Sequence, residues 1–501
     1  MNDRHFELTA PAEACTADSV LLLWNKPANA AQVKSYQIYV NGEVFDTCQC
    51  TDYTVTGLLP AASYTFCVRE LLHDGGEGWS TAPVTVETKA VGSVVSITDF
   101  GAQGDGQALS TAAIQSAIDA CPPGGTVLVP SGCFRTGALF LKSDMTLHLA
   151  EDSTLLGSGE IADYPVIPGH FEGRKALMYA SLINCTPNRN GYVEGAERLH
   201  DVCITGKGVI KANAKPLFSG ELEQKTGVRG RNTYIANTDR VYIHGVTIRE
   251  SPAWCLHLIY CSQVTINDIQ LHSKYDENGH ALGIYNGDGI DPDSCLDVNI
   301  IHSMIASQDD CIAIKSGRDA EGRAAGKPTE RVRITNCEFH HGFGVALGSE
   351  MSGGVRDVLV QDCTFTDSYS VGSIKAPRGR GNAVENVLFD NHTLVNRSQE
   401  HHDCRWFRGG INVDMFYSVD ETDYQAAQPF GDGTPTFRNI TFQNITLETV
   451  GGNAIFISGL PESPVENLTL RNIRARGKYG MQVHNVTGLQ LENVAVEIIP
   501  T

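Results

Sequence analysis

A short motif, apolar-x-apolar, recurs down most of this chain and restricts it to very few folds. It reads Val202-Cys203-Ile204, Val241-Tyr242-Ile243, Val264-Thr265-Ile266, Val298-Asn299-Ile300 and Val332-Arg333-Ile334, then Val358-Leu359-Val360, Val387-Leu388-Phe389, Ile440-Thr441-Phe442, Leu468-Thr469-Leu470 and Leu489-Gln490-Leu491, at intervals of 21 to 53 residues. In most copies Gly, Asp, Asn or Cys follows two residues on, and then a second apolar pair, as in Val332-Arg333-Ile334-Thr335-Asn336-Cys337-Glu338-Phe339. Two period-2 strands separated by a polar residue that tolerates a left-handed backbone make a bend between adjacent faces of a coil. Stacked coils of this kind predict an all-β chain, a right-handed parallel β-helix whose interior the alternating Val, Ile and Phe fill. Glycine, 50 of 501 residues, suits so turn-rich a fold.

A solenoid leaves an apolar end to be covered. Ile114, Ala117, Ile118 and Cys121 recur at helical spacing after Ser110 and stop at Pro122-Pro123-Gly124-Gly125, which predicts one amphipathic helix as the N-terminal cap. Residues 1 to about 90 read differently. Val20-Leu21-Leu22-Leu23-Trp24 suits an inner strand, Tyr36, Ile38 and Val40 alternate before an Asn41-Gly42 turn, and Tyr64 opens a strand just after a Leu58-Leu59-Pro60 corner. These features resemble a fibronectin type III domain, a small β-sandwich. The expected division is 1–92 for the sandwich, a spacer or substrate-presenting module, and 93–501 for the β-helix.

Charge and cysteine content set the compartment and exclude several partners. With 38 basic and 58 acidic residues the net charge is −20, against broad binding of nucleic acid or anionic membrane. The N-terminus, MNDRHFELTA, has no apolar core of a signal peptide, and no run reaches the length of a membrane span. Fifteen cysteines without a CxxC pair point to neither a disulfide scaffold nor a zinc site. The expectation is a reduced, cytoplasmic protein, or a secreted or periplasmic one had a signal peptide been removed. The oligomeric state is open.

Residues one coil apart lie about 4.8 Å above one another, so polar residues repeating at coil spacing form a line on the surface. Asp288, in Asn286-Gly287-Asp288, and Asp309-Asp310, in Gln308-Asp309-Asp310-Cys311, stand one short coil apart; Phe343 and Lys375 follow in later coils. Consecutive aspartates on a regular strand would send one carboxylate into the core, so the backbone at 309–310 must bend or bulge. Carboxylates converging near a lysine split their pKa values, one kept protonated as an acid and another ionised as a base, as glycoside hydrolysis requires.

The stretch from about 95 to 450 resembles the polygalacturonase family of pectin hydrolases, glycoside hydrolase family 28. The segments that carry the resemblance are Thr98-Asp99-Phe100-Gly101-Ala102, Gly125-Thr126-Val127-Leu128-Val129-Pro130, Ser251-Pro252-Ala253-Trp254, the two aspartate motifs, and Gly348-Ser349-Glu350-Met351-Ser352-Gly353-Gly354. It implies Asp309 as the general acid and Asp288 with Asp310 as the pair that activates water, in the inverting geometry with acid and base about 6.5–9.5 Å apart. It also implies that Lys375 grips a uronate carboxylate, that Tyr417 and Glu350 contact substrate, and that neither cofactor nor metal is needed. The substrate would be a pectic oligosaccharide or polysaccharide, trimmed from a chain end. Two departures concern sugar preference. Gly342-Phe343-Gly344 stands where the family has Gly-His-Gly, and Ser373-Ile374-Lys375 where it has Arg-Ile-Lys.

Phe343 offers an apolar face to a sugar, and rhamnogalacturonan or xylogalacturonan becomes an alternative substrate. A non-catalytic pectin-binding protein is a further alternative, opposed by the intact aspartates. Between residues 371 and 410 six basic residues face four acidic ones, which makes Arg378, Arg405 and Arg408 candidate clamps for an anionic sugar, with the Arg229-Gly230-Arg231 loop a weaker one. Arg380, His340 and His341 are candidate stand-ins for the missing side chains.

Overall fold

Neighbouring copies of the recurring triplet pair with one another, residue on residue. In the computed structural model, which describes residues 7–27, 29–187, 189–224, 227–398, 406–419 and 422–499, Val202 pairs with Val241, then Val264, Val298, Val332, Val358, Val387, Ile440 and Leu468, each strand parallel to the next. The motif is one continuous ladder of a wound 31-stranded sheet. That sheet is the predicted parallel β-helix. Its interior is a single apolar column in which Phe339 stacks on Phe365 and Phe389 on Phe442, at 4.8 and 4.7 Å between centroids.

The bends fall where polar residues adopt positive φ, among them Asp268, Asn336, Asp362, Asn391, Asn444, Asn472 and Asn493. Short side chains with an amide or carboxylate tolerate this backbone and also bridge between coils. Asn444 donates to Asp390, Asn472 to Asn444 and Asn493 to Asn472, while Asn467 donates to Asn439 and Asn439 to Asn386. Each bond ties one bend to the next.

Thr111–Ala120 is the predicted helix, with Ile114, Ala117 and Ile118 fully buried against the first strands and a short turn at Ile97–Phe100. Ser110 does not cap it through its side chain; its hydroxyl accepts from the Gln103 amide instead.

Backbone contacts divide the chain into two units, 1–93 and 94–501. The first is a sandwich of two antiparallel sheets: Leu8–Thr9, Ser19–Trp24 and Asp52–Thr56 form one, and five strands from Val33–Val40 to Val84–Glu87 the other. Trp24 packs edge-on to Tyr36 in its core, and the Tyr64 hydroxyl accepts from the Leu59 amide, tying the strand to the corner before it. Among the described residues no helix is long and apolar enough to cross a membrane.

Candidate active site

The two aspartate motifs occupy corners between strands. Ile290 pairs with Ile312, which stacks Asp288 beneath Asp310 one coil on. Strand Met304–Ser307 ends before Gln308, and Ile312–Ile314 begins after Cys311, so Asp309 and Asp310 lie on the expected bend. The bend is pinned by the Gln308 amide donating to Gly287 and the Asp310 amide to the Asp309 carboxylate. Gly289 is required here, since a Cβ would lie 2.3 Å from the Cys311 carbonyl of the coil above.

One carboxylate oxygen from each of Asp288, Asp309 and Asp310 lies within 4.8 Å of the others, much closer than the 6.5–9.5 Å expected. The bend and the coil pitch are the reason: the corner brings the consecutive carboxylates of Asp309 and Asp310 together, and a residue one coil below lies only about 4.8 Å away. They open into a cleft of about 380 Å³, which Lys375, Glu350 and Tyr417 also line. Lys375 Nζ meets both oxygens of Asp310, at 3.0 and 2.7 Å, and lies 5.1 Å from the centre of the Tyr417 ring. Burial opposes the lysine's charge, but Asp310 holds it protonated. Burial, and then Asp310, lift Asp309 to about 6 against the pull of Lys375 and Lys315, while burial pushes the Tyr417 hydroxyl up to about 12.

Lys315, unassigned from the sequence, is a second buried cation. Its Nζ stands 3.6 Å from Asp288, 3.6 Å from Asp291, 3.4 Å from Glu350 and 4.7 Å from the Trp254 ring centre. A signal for it was in the chain, because Ala313-Ile314-Lys315 repeats the pattern of Ser373-Ile374-Lys375. The two lysines share one ladder, with Gly348 between them, some 10 Å apart at two coil spacings. Burial raises the Glu350 carboxyl, yet Lys315 and Arg380 outweigh it and hold the group at about 2.

The other candidates divide. Arg380 lines the cleft and reaches Ser349, Asp319 and Glu350. Arg378 turns away to a bidentate pair with Glu462, and Arg408 is engaged by Asp414 and the Val419 carbonyl, so neither lines the cleft as a clamp. Arg405 lies outside the described residues. Phe343 stands behind Asp309, its amide donating to the Asp309 carbonyl and its ring 5.2 Å from Tyr369, and it does not line the cleft. His340 and His341 do not line it either, His341 packing edge-on to Tyr275. Arg229 and Arg231 are buried behind it, bonding Asn286 and backbone carbonyls. Ser373, in place of the family arginine, accepts from Asn412.

A hairpin of Val166–Phe171 and Arg174–Tyr179 stands outside the coils and forms one wall. Phe171 stacks on Trp254 at 5.4 Å, Glu172 lines the cleft and pairs with Arg318 at 2.9 Å, and the Arg318 amide donates to Gly173. The sequence carried no signal for it, because an insertion between coils breaks the repeat without a pattern of its own.

A profile of the Glycosyl hydrolases family 28 matches residues 184–496, one described as Rhamnogalacturonase A/epimerase, pectate lyase-like matches 94–196, and the Fibronectin type III domain matches 8–87. The chain is 28% identical to an exo-poly-alpha-D-galacturonosidase of Dickeya chrysanthemi, over 96% of this chain and 93% of that protein. It is 31% identical to a probable polygalacturonase of Vitis vinifera, over 75% and 73%. The structure of the Yersinia enterocolitica family 28 exopolygalacturonase superposes with a TM-score of 0.80 at 22% identity, over 99% of each chain. The family match spans well over half the residues, and the chain belongs to the glycosyl hydrolases of family 28.

Proposed function

We propose that this glycoside hydrolase removes α-linked galacturonic acid units from the end of a pectic chain, with inversion at the anomeric carbon. Asp309 donates its proton to the leaving oxygen while Asp288 and Asp310 orient a water, and Asp288 takes a proton from it as the new C–O bond forms. The observation that carries this reading is the corner itself: three carboxylates with oxygens within 4.8 Å of one another, one raised to about 6 and so protonated in mild acid, beside another gripped by a lysine. Lys315, Lys375, Arg318 and Arg380 supply positive charge in the cleft for a uronate, in place of the absent family arginine. Tyr417 flanks the sugar beside Lys375. The pinned hairpin wall supports action at a chain end, and so does the similarity to the exo-poly-alpha-D-galacturonosidase of Dickeya chrysanthemi.

The close spacing of the carboxylates bears on stereochemistry. Retention needs a carboxylate free to attack carbon, whereas Asp310 spends both oxygens on Lys375, which favours water as the nucleophile. The first product, followed by NMR before mutarotation, is therefore expected in the inverted configuration. Retention would sink the assigned roles. Products are also expected without the near-ultraviolet absorbance of an unsaturated uronate and without inhibition by EDTA; calcium-dependent appearance of that absorbance would mark a lyase.

A second reading, hydrolysis of rhamnogalacturonan or xylogalacturonan, rests on Ser373, whose small side chain leaves out the family arginine. Comparing kcat/KM on matched unbranched and branched oligomers decides between them. The count of fifteen cysteines without a CxxC pair suits a reducing compartment, the cytoplasm, as the proposed location. The proposed 1–92 sandwich serves to space or present substrate.

A further inference from the structure

Among the acids that line the cleft, Asp288, Asp309 and Asp310 form the corner and Glu350 pairs with Lys315 and Arg380. Glu172 belongs to neither group. It stands at the tip of the hairpin wall, and a carboxylate turned toward the path of a polyuronate repels it. A repulsive element in a binding cleft is a device of selection.

The tip is held from several sides. Glu172 has a φ of +48° and Gly173 one of +72°, so the chain reverses there, and a Cβ on Gly173 would lie 2.8 Å from the Arg318 backbone nitrogen. Phe171 stacks on Trp254 before the tip; after it Arg174 pairs with Asp319 at 2.7 Å and the Lys175 amide donates to Glu321 at 2.9 Å. These contacts dock the hairpin without help from the Glu172 side chain. Arg318 Nη1 donates to Glu172 Oε2 at 2.9 Å, whereas Oε1 meets no donor among the described residues and the side chain is 42% exposed. The cleft therefore holds, side by side, an oxygen that only accepts and a guanidinium that only donates.

A galacturonic acid unit carries the complementary pair on adjacent ring carbons: a 4-hydroxyl that donates and a carboxylate that accepts. In a 1,4-linked chain that hydroxyl is free at the non-reducing end alone. In every internal unit its oxygen is an ether oxygen without a proton, which would meet Glu172 lone pair against lone pair. The anomeric hydroxyl of the reducing end is separated from the carboxylate-bearing carbon by the ring oxygen and does not match the pair.

We propose that Glu172 is a specificity-determining residue that accepts a hydrogen bond from the free 4-hydroxyl of the non-reducing terminal galacturonate, while Arg318 takes that unit's carboxylate. The inference deepens the function proposed above and rests on it. Chain ends are then recognised by a proton that internal units lack, in addition to being stopped by the wall.

The test compares two galacturonate oligomers of equal length, one with an ordinary non-reducing end and one with a 4-deoxy unit there. Wild-type kcat/KM is expected to fall by about a hundredfold or more on the deoxy oligomer, because the carboxylate is left without its donor in a closed cleft. Glu172→Ala should treat the two oligomers alike. In Glu172→Gln the guanidinium holds the amide oxygen and turns the NH2 toward the sugar, where it donates to the hydroxyl oxygen, so a preference of about tenfold should remain. A side chain that merely pinned the wall would, when removed, slow both oligomers equally and leave the hundredfold ratio intact. That ratio surviving in Glu172→Ala would overturn the proposal, as would a wild-type ratio near one. Calorimetry of the same oligomers on Asp309→Asn, with and without Glu172→Ala, reads the preference in Kd without turnover. Hydroxyl-dependent binding by a protein whose wild type cleaves neither oligomer would sink the proposed hydrolysis and uphold the role of Glu172. Cleavage of both at equal rates would do the reverse, and absence of both binding and cleavage would overturn the two together.

Discussion

Asp309→Asn is expected to lower kcat by about two to four orders of magnitude while leaving the thermal midpoint near that of the wild type. The amide is isosteric and keeps the carbonyl that accepts from the Asp310 amide, so the bend survives. What it lacks is a proton for the leaving oxygen. Because the Asp309 carboxyl is raised to about 6, it is protonated below that pH and loses its proton above, so wild-type activity should decline as pH rises through about 6. The residual activity of Asp309→Asn should lack that decline. A galacturonide with an aryl leaving group that departs unaided should be much less affected than a natural glycoside. Near-wild-type turnover of the natural glycoside by the variant would remove Asp309 from the acid role.

The sequence showed this corner because the fold writes itself at regular intervals. A solenoid repeats its inward-facing residues, and the ladder from Val202 to Leu468 stands in the chain as a series of triplets. The aspartates were legible for a related reason: consecutive carboxylates are costly on a strand, so Asp309-Asp310 announced a bend and Asp288 stood one coil beneath. Spacing inferred from general glycosidase geometry was too long, since it took no account of the coil pitch. The clamps were least legible in the sequence. Arg378 and Arg408 lie in the right stretch of chain, but a surplus of basic residues in sequence cannot say which of them meet Glu462 or Asp414 first. Lys315 was missed because it followed a conspicuous motif, although its place in the ladder of Lys375 was written in the Ile-Lys pair. Glu172 and Arg318 come together across 146 residues through a hairpin outside the repeat, where periodicity carries no information.

Lys315→Met tests whether one ammonium organises the acidic half of the cleft. Methionine retains much of the side chain's length and packing against Trp254, so the change removes chiefly charge. Asp288, Asp291 and Glu350 would lose their common cation in a buried setting, and breaking such a pairing from one side costs about 3–5 kcal/mol. The pH dependence follows from Glu350, held at about 2 by Lys315 and Arg380 against the effect of burial. A carboxyl with a depressed folded pKa stabilises the fold fully above its unfolded value, about 4.3, and that contribution is lost as pH falls through the folded value. With only Arg380 left beside Glu350 the contribution shrinks, so the gap in thermal midpoint between wild type and Lys315→Met should be widest above about pH 5 and narrow between about 4 and 2. Activity should fall by about a hundredfold or more throughout, because Asp288, without its cation, holds its proton more tightly and cannot accept one from water. Lys375→Met provides the contrast. Its lysine serves Asp310 and stands 5.1 Å from the centre of the Tyr417 ring, at the edge of the cleft where a uronate would bind, so KM should rise along with the loss of kcat. If Lys315→Met instead left stability and turnover intact, the carboxylates behind the corner would have to be neutralised by protons alone.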